Sequence, residues 1–305
     1  MPRSRSPDDI EVAYVPNPHL HRWGSVNDPK AGSYKPAFPW ADPMSDPVIR
    51  LRGVSVRFGP QSVLRGIDLD LGRQQTICVV GESGCGKTVF LKLIVGLLTP
   101  TEGEVLFEDT SLQKLSDREL TRLRLRVGFL FQQAALFDSL NVYDNVAFGL
   151  RAKGGMLEDE IRARVRDRLA EVGLTPTAEP KMPAELSGGM RKRVGLARAL
   201  ALDPDVMLYD EPTTGLDPIM TDVINELVIR TRRRRPVTSV IVTHEMRTVY
   251  KVADRVVMLY PLTRLRPDES QVLYDGPPAG LTTAPDPRVR QFIEGDATER
   301  LSSDE

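Results

Sequence analysis

Eight consecutive residues, Gly81-Glu82-Ser83-Gly84-Cys85-Gly86-Lys87-Thr88, have the types and spacing needed to hold a chain of phosphates. They fit G-x-x-x-x-G-K-[ST]. Glycines let the backbone curl until its N–H groups face the phosphates, and a helix that follows adds its positive end. Lys87 supplies a point charge for the outer phosphates, and Thr88 offers a hydroxyl to a divalent cation. Further on, Val206-Met207-Leu208-Tyr209 leads into Asp210 and Glu211. A carboxylate at the end of a buried strand can hold a cation, usually through water, and its neighbour is placed to orient or polarise an attacking water. Together these two stretches have the groups for phosphoryl transfer to water.

Such groups need elements to carry them. Residues 76–80 are a short apolar, β-branched run that reads as a buried strand, and residues 89–98 read as a mostly apolar helix. Strand, glycine-rich turn and helix is the order the loop requires. Before it, residues 48–51, 54–58 and 67–71 read as strands, with a Gly59-Pro60 turn among them. After it come a strand at 104–107, a basic amphipathic helix at 120–126, and a strand at 127–131 that ends at Gln132. Helical spacing follows at 143–150 and 158–172, where Ile161, Val165, Leu169 and Val172 make one stripe. Leu186-Ser187-Gly188-Gly189-Met190 opens a helix that runs to about Leu202. A helix is expected at 221–235, a strand at 240–243 ending at His244, and strands at 255–259 and 271–275 that close the sheet. The basic end of the 221–235 helix reads as a solvated terminus favoured by the helix dipole, not as a nucleic-acid patch. Asp286 can N-cap a short helix with Pro287 at its first position, and Val289, Phe292 and Ile293 give it an apolar face.

The chain has 305 residues, enough for one large or two modest domains. Its 41 basic and 42 acidic side chains nearly cancel, so nothing global calls for nucleic acid. Cys78 and Cys85 imply no disulfide framework and fit a reducing compartment. Cys85, at a helix start beside Lys87, is expected to have thiolate character, so that alkylation inhibits and bound nucleotide protects. No apolar run approaches the ~18 residues that span a bilayer, and the first residues lack the apolar stretch of a signal peptide. A role at a membrane therefore calls for a partner that holds the chain there. Residues 1–47 are rich in proline and hold both tryptophans, Trp23 and Trp40. They are expected to be largely irregular, with aromatic groups suited to docking an extended segment.

In sequence order, the phosphate loop, Gln132, Leu186-Ser187-Gly188-Gly189-Met190, Asp210-Glu211, Gly215-Leu216-Asp217 and His244 resemble an ABC transporter ATPase. The resemblance covers about residues 48–276 and implies an α/β fold. In this P-loop NTPase fold a RecA-like core carries an antiparallel β subdomain and an α-helical signature subdomain at about 133–186. The ATPase domain would run over 48–280, and a tail over 281–305 would carry the short helix either to a second subunit or onto its own domain. By this resemblance the loop from Gly81 to Thr88 binds ATP, with Lys87 on the phosphates and Thr88 on Mg²⁺. Gln132 approaches Mg²⁺ and the water, Asp210 supports Mg²⁺, Glu211 is the catalytic carboxylate, and His244 contacts the γ-phosphate. Phe58 stacks on adenine. Ser187, Gly188 and Gly189 close on the ATP of the opposite subunit of a homodimer, with Asp217 at that interface.

A finer resemblance rests on three stretches: 131–142 with Asp144-Asn145-Val146, Met190 in place of the common Gln, and 285–292. These are similar to the ATPases of Mla-type, MCE-associated lipid transporters. That implies a membrane permease, an MCE-domain lipid-binding protein, and a place at the cytoplasmic face of the inner membrane. The alternatives are an importer ATPase for a small polar solute and a soluble ABC protein acting on DNA or ribosomes. The latter commonly has two modules in one chain or a long coiled coil, and neither is present here.

Overall fold

The computed structural model describes residues 47–295. The expectations for residues 1–46 and for the tail beyond Gly295 lie outside the described residues. Strands β1 (Ile49–Phe58) and β2 (Gln61–Leu71) form an antiparallel hairpin that turns at Gly59-Pro60. The two short strands expected at 48–58 are one strand interrupted by bulges. β2 begins earlier than its alternation suggested because its first turns of chain are exposed and polar on both faces. Strand β3 (Thr76–Val80) is buried along its whole length and leads through the glycine loop into α1 (Lys87–Ile94). Gly96, at φ 66°, ends that helix before Leu98.

Strands β4 (Glu102–Phe107) and β5 (Thr110–Ser111) complete a four-stranded antiparallel sheet in the order β2-β1-β4-β5. Helix α2 (Asp117–Arg124) starts on a reciprocal pairing of Ser116 and Glu119. After β6 (Val127–Leu130), α3 (Val142–Lys153), α4 (Glu158–Glu171) and α5 (Gly188–Leu200) follow in succession. The chain then alternates strand and helix: β7 (Val206–Asp210), α6 (Pro218–Arg234), β8 (Thr238–Val242), α7 (Met246–Val252) and β9 (Arg255–Leu259). Strand β10 (Val272–Gly276) and helix α8 (Pro287–Glu294) come last, with Asp286 capping α8.

The second sheet has six strands in the order β10-β9-β3-β8-β7-β6. Its five strands from β9 to β6 are parallel, and β10 adds antiparallel to β9. β9 and β10 together close one side of the sheet, as expected, with β9 paired to β3 and β10 at the edge. Strand alternation divides the interior in two. Cys78, Val80, Met207, Tyr209 and Ile241 face the apolar stripes of α3–α7. Ile77, Val79, Leu208, Val240 and Val242 face α1 and the antiparallel sheet. Burying each such side chain contributes roughly 1.5–3 kcal/mol, so the six-stranded sheet rests in a frame packed from both sides. The apolar face of α8 packs on the same domain: Val289 is fully buried, and Phe292 and Ile293 lie against the core.

Candidate nucleotide-binding site

Parallel strands bring their carboxyl ends to one edge of the sheet, where open α/β folds bind ligands. Here that edge collects four motifs. β3 delivers the glycine loop, β8 delivers Thr243 and His244, β7 delivers Asp210 and Glu211, and β6 delivers Gln132 one residue beyond Phe131. The registers Val79↔Val242 and Asp210↔Val242 bring three of the strand ends level.

The glycine loop is tightly seated. Gly81 has φ 145°, and a Cβ there would lie 2.1 Å from the Leu259 carbonyl oxygen. Gly86 has φ 99°, and a Cβ would meet Leu64 at 2.7 Å. Lys87 is buried, and its Nζ donates to the carbonyl oxygens of Gly81 at 2.8 Å and Glu82 at 2.9 Å. An ammonium held this close to a ring of backbone groups, at the start of a helix, fits a polyanionic ligand. The long connection between β9 and β10 supports the loop from behind. Gln271, buried, donates to the Cys85 carbonyl at 3.2 Å and the Val63 carbonyl at 3.0 Å. Arg264 donates to both oxygens of Glu82, at 3.1 and 2.9 Å. That pair is half exposed. Arg264→Ala is therefore expected to weaken nucleotide binding only two- to threefold, on the order of 0.5 kcal/mol, as read by equilibrium titration with ATP.

Cys85 differs from the expectation. It is buried, and that burial pushes its thiol pKa up, outweighing the nearby Lys87 charge and the backbone hydrogen bonds that favour the thiolate. The thiolate fraction at neutral pH is thus smaller than for a free cysteine. Iodoacetamide is expected to label Cys85 slowly in the folded chain and much faster once it unfolds, as peptide mass spectrometry would show.

Thr88, exposed at the loop end, donates its hydroxyl to Asp210 Oδ1 at 3.0 Å. Asp210 is buried, and burial raises its pKa, with the Glu211 charge acting the same way and the Thr88 hydroxyl and two lysines opposing. A carboxylate and a hydroxyl meeting at a phosphate loop form the oxygen donor set of a hard divalent cation that keeps water and phosphate ligands. No group of three or more His, Cys, Asp or Glu side chains is gathered for a metal among the described residues. Glu211 Oε2 lies 2.9 Å from His244 Nδ1 and accepts from the Thr214 hydroxyl at 3.1 Å. The Glu211 side chain is 11% exposed and that of His244 60%, so a shielded carboxylate meets an open imidazole.

The other expected residues fall as follows. Gln132 is exposed, at the start of a loop whose Ala134 and Ala135 have positive φ and whose carbonyls accept from Arg198 at 2.7 and 2.8 Å. Asn145, fully buried, pins the same loop to α3 by accepting from the Phe137 N–H at 2.8 Å and donating to the Leu140 carbonyl at 2.9 Å. Ser187 and Gly188 are exposed, and Ser187 caps α5 by accepting from Met190 N–H at 3.2 Å. Gly189 is buried, where a Cβ would strike Met220 at 2.5 Å. Asp217 caps α6, accepting from Ile219 and Met220 N–H at 2.9 Å each. Phe58 is half exposed at the end of β1. Motif spacing missed Lys192, Arg264 and Gln271. Only Lys192 left a signal: it shares a helical face with Gly189, Leu196 and Leu200, all buried.

A phosphate loop after a central parallel strand, with an acidic pair ending a nearby strand, defines a P-loop nucleotide hydrolase. The sequence comparisons narrow the class. Residues 64–214 match the family described as ABC transporter. The chain is 40% identical to the probable ribonucleotide transport ATP-binding protein mkl of Mycobacterium leprae, over 81% of this chain and 69% of that one. It is 38% identical to the intermembrane phospholipid transport system ATP-binding protein MlaF of Haemophilus influenzae, over 83% of this chain and 93% of that one. A solved dimeric ATP-binding cassette, in a post-hydrolysis state with ADP and Pi, is 32% identical with a TM-score of 0.65. It covers 69% of this chain and 94% of that one. The chain belongs to the ABC transporter family of ATP-binding proteins, and it is an ATPase. No helix among the described residues is long and apolar enough to cross a membrane.

Proposed function

We propose that this chain is the ATP-hydrolysing subunit of a transporter that moves phospholipid between membranes through a separate permease. The observation that carries the reading is the match to MlaF across 93% of that protein's length. The relative whose name specifies ribonucleotide transport is matched over 69% of its length. In the proposed cycle the loop from Gly81 to Thr88 wraps the phosphates, and Lys87 transfers its hydrogen bonds from loop carbonyls to phosphate oxygens. Thr88 and Asp210 would hold Mg²⁺, whose charge would offset that of the outer phosphates. Glu211 takes a proton from the attacking water. His244 Nδ1 and the Thr214 hydroxyl orient that carboxylate, leaving His244 Nε2 for the terminal phosphate. Gln132 and Phe58 are both exposed, so Gln132 would be available to the cation and water and Phe58 to stack on the base.

Two exposed features support partners. The uncovered start of α5 at Ser187 and Gly188 is an anion site by the same physics as the phosphate loop, and it suits the nucleotide of a second copy. Asp217 stands at that interface. Phe137, on the loop that begins at Gln132, and Phe148, on α3, are 42% and 48% exposed with ring centroids 4.6 Å apart and display an apolar patch. Such a patch fits a cytoplasmic loop of the permease and would hold the chain at the inner face of the membrane. An MCE-domain protein completes the proposed set. The test is purification of the chain from native membranes in mild detergent, with mass spectrometry of protein and lipid. A permease, an MCE-domain protein and phospholipid are expected. A permease with a solute-binding protein and no lipid would replace this reading with the importer.

A further inference from the structure

Lys192 sits on α5 just past the start of the helix, on the stripe that faces the interior, and is 5% exposed. An apolar residue would fill such a place at less cost, because burying a charge is unfavourable unless hydrogen bonds hold it. Two hydrogen bonds do. Nζ donates to the main-chain carbonyl of Gln132 and, at 3.1 Å, to that of Glu211. One side chain thus ties α5 to the end of β6 and the end of β7, segments 60 and 19 residues away in sequence.

The Glu211 backbone needs such a tie. Its φ is 47°, the left-handed region that residues with a Cβ rarely occupy. Its N–H donates to the Val242 carbonyl at 2.9 Å, which fixes the peptide on one side. Lys192, with the Thr214 N–H at 3.3 Å, fixes the carbonyl on the other. A strained residue persists only where its surroundings over-determine it. Without the ammonium, only the longer bond from the Thr214 N–H holds the carbonyl, and the strained peptide that aims the carboxylate at His244 is less firmly fixed.

We propose that Lys192 is a positioning residue for hydrolysis, holding Glu211 and the Gln132 loop in register with the helix that starts at Ser187. The proposal rests on the assignment of Glu211 as the catalytic base. Lys192 acts through the two main-chain carbonyls to which its Nζ donates. A shift of α5 is then felt directly at the carboxylate of the same chain.

The test uses the full chain and its Lys192→Met and Lys192→Arg variants. ATP hydrolysis is followed against ATP concentration, with ATP affinity and thermal unfolding measured beside it. Lys192→Met is expected to lower kcat by about 10- to 100-fold, the scale of a misplaced catalytic group. KM and ATP affinity should stay within about threefold of wild type, because the phosphate loop is not touched. Lys192→Arg, which keeps charge and donors, should recover a substantial part of kcat. A Lys192→Met chain with kcat within about twofold of wild type would overturn the proposal. So would equal losses of kcat and ATP affinity, or failure of both variants to fold, since the lysine would then serve stability alone. A Glu211→Gln control that keeps full turnover would sink the assignment of the base and this inference with it. A silent control beside an active Lys192→Met would sink the inference alone.

Discussion

Glu211→Gln is expected to lower ATP turnover by about 10²- to 10⁴-fold, the range that a positioned general base supplies. The substitution keeps shape and size. The amide retains an oxygen for the Thr214 hydroxyl or His244 Nδ1, both within 3.1 Å of the native carboxylate. It would remove the group proposed to accept the proton from water. ATP affinity should change little, since Lys87, the loop and Thr88 are untouched. Phosphate release and equilibrium ATP binding, measured side by side, check this. Turnover above about a tenth of wild type would remove Glu211 from the role of base, because the general-base contribution is larger than that.

Gly81→Ala is expected to damage both folding and nucleotide binding severely. Its φ of 145° is closed to residues with a Cβ, and the new atom would stand 2.1 Å from the Leu259 carbonyl oxygen and 2.8 Å from Cys85 Sγ. Leu259 cannot yield cheaply, since β9 is paired with β3 up to the register Val80↔Met258. Backbone strain alone costs roughly 1–3 kcal/mol, and the collision adds to it. A loss of about 3 kcal/mol or more corresponds to a fall in Tm on the order of 10 °C, with ATP binding lost as well. Gly84→Ala is the control: φ is 82°, but the space around it is open, so only the strain remains. Thermal unfolding and ATP titration of the two variants separate collision from strain. Equal effects would mean that the seat of Gly81 is not what holds the loop.

The chemistry of this site was legible in the sequence wherever it was local. The glycine loop, the acidic pair after an apolar run and the serine before two glycines each announce themselves within a few residues. The strands that carry them are short and wholly buried, which makes continuous apolar runs easy to see. What escaped was non-local. Arg264 and Gln271 act on the loop from a connection whose own sequence is polar and unremarkable. Helix α7 escaped because its seven residues give too few turns for a period to show. Cys85 was misjudged for the same reason. The helix start and Lys87 are local and favour the thiolate, whereas the burial that prevails depends on packing that local sequence does not display. The pairing of β9 with β3, far earlier in the chain, is likewise a long-range match that no residue within the strand displays.

The glycine loop depends on parts of the chain made long after it. Its first glycine is seated under Leu259, Glu82 is held by a side chain 182 residues later, and the Cys85 carbonyl by one 186 residues later. During synthesis the whole phosphate-binding motif emerges from the ribosome well before these supports exist. Closing so long a span also carries an entropic cost that no local contact repays. A nascent chain, or a fragment cut before β9, therefore holds every residue of the motif and still lacks the site. Nucleotide capture becomes a late event of maturation, and a half-made subunit does not consume ATP.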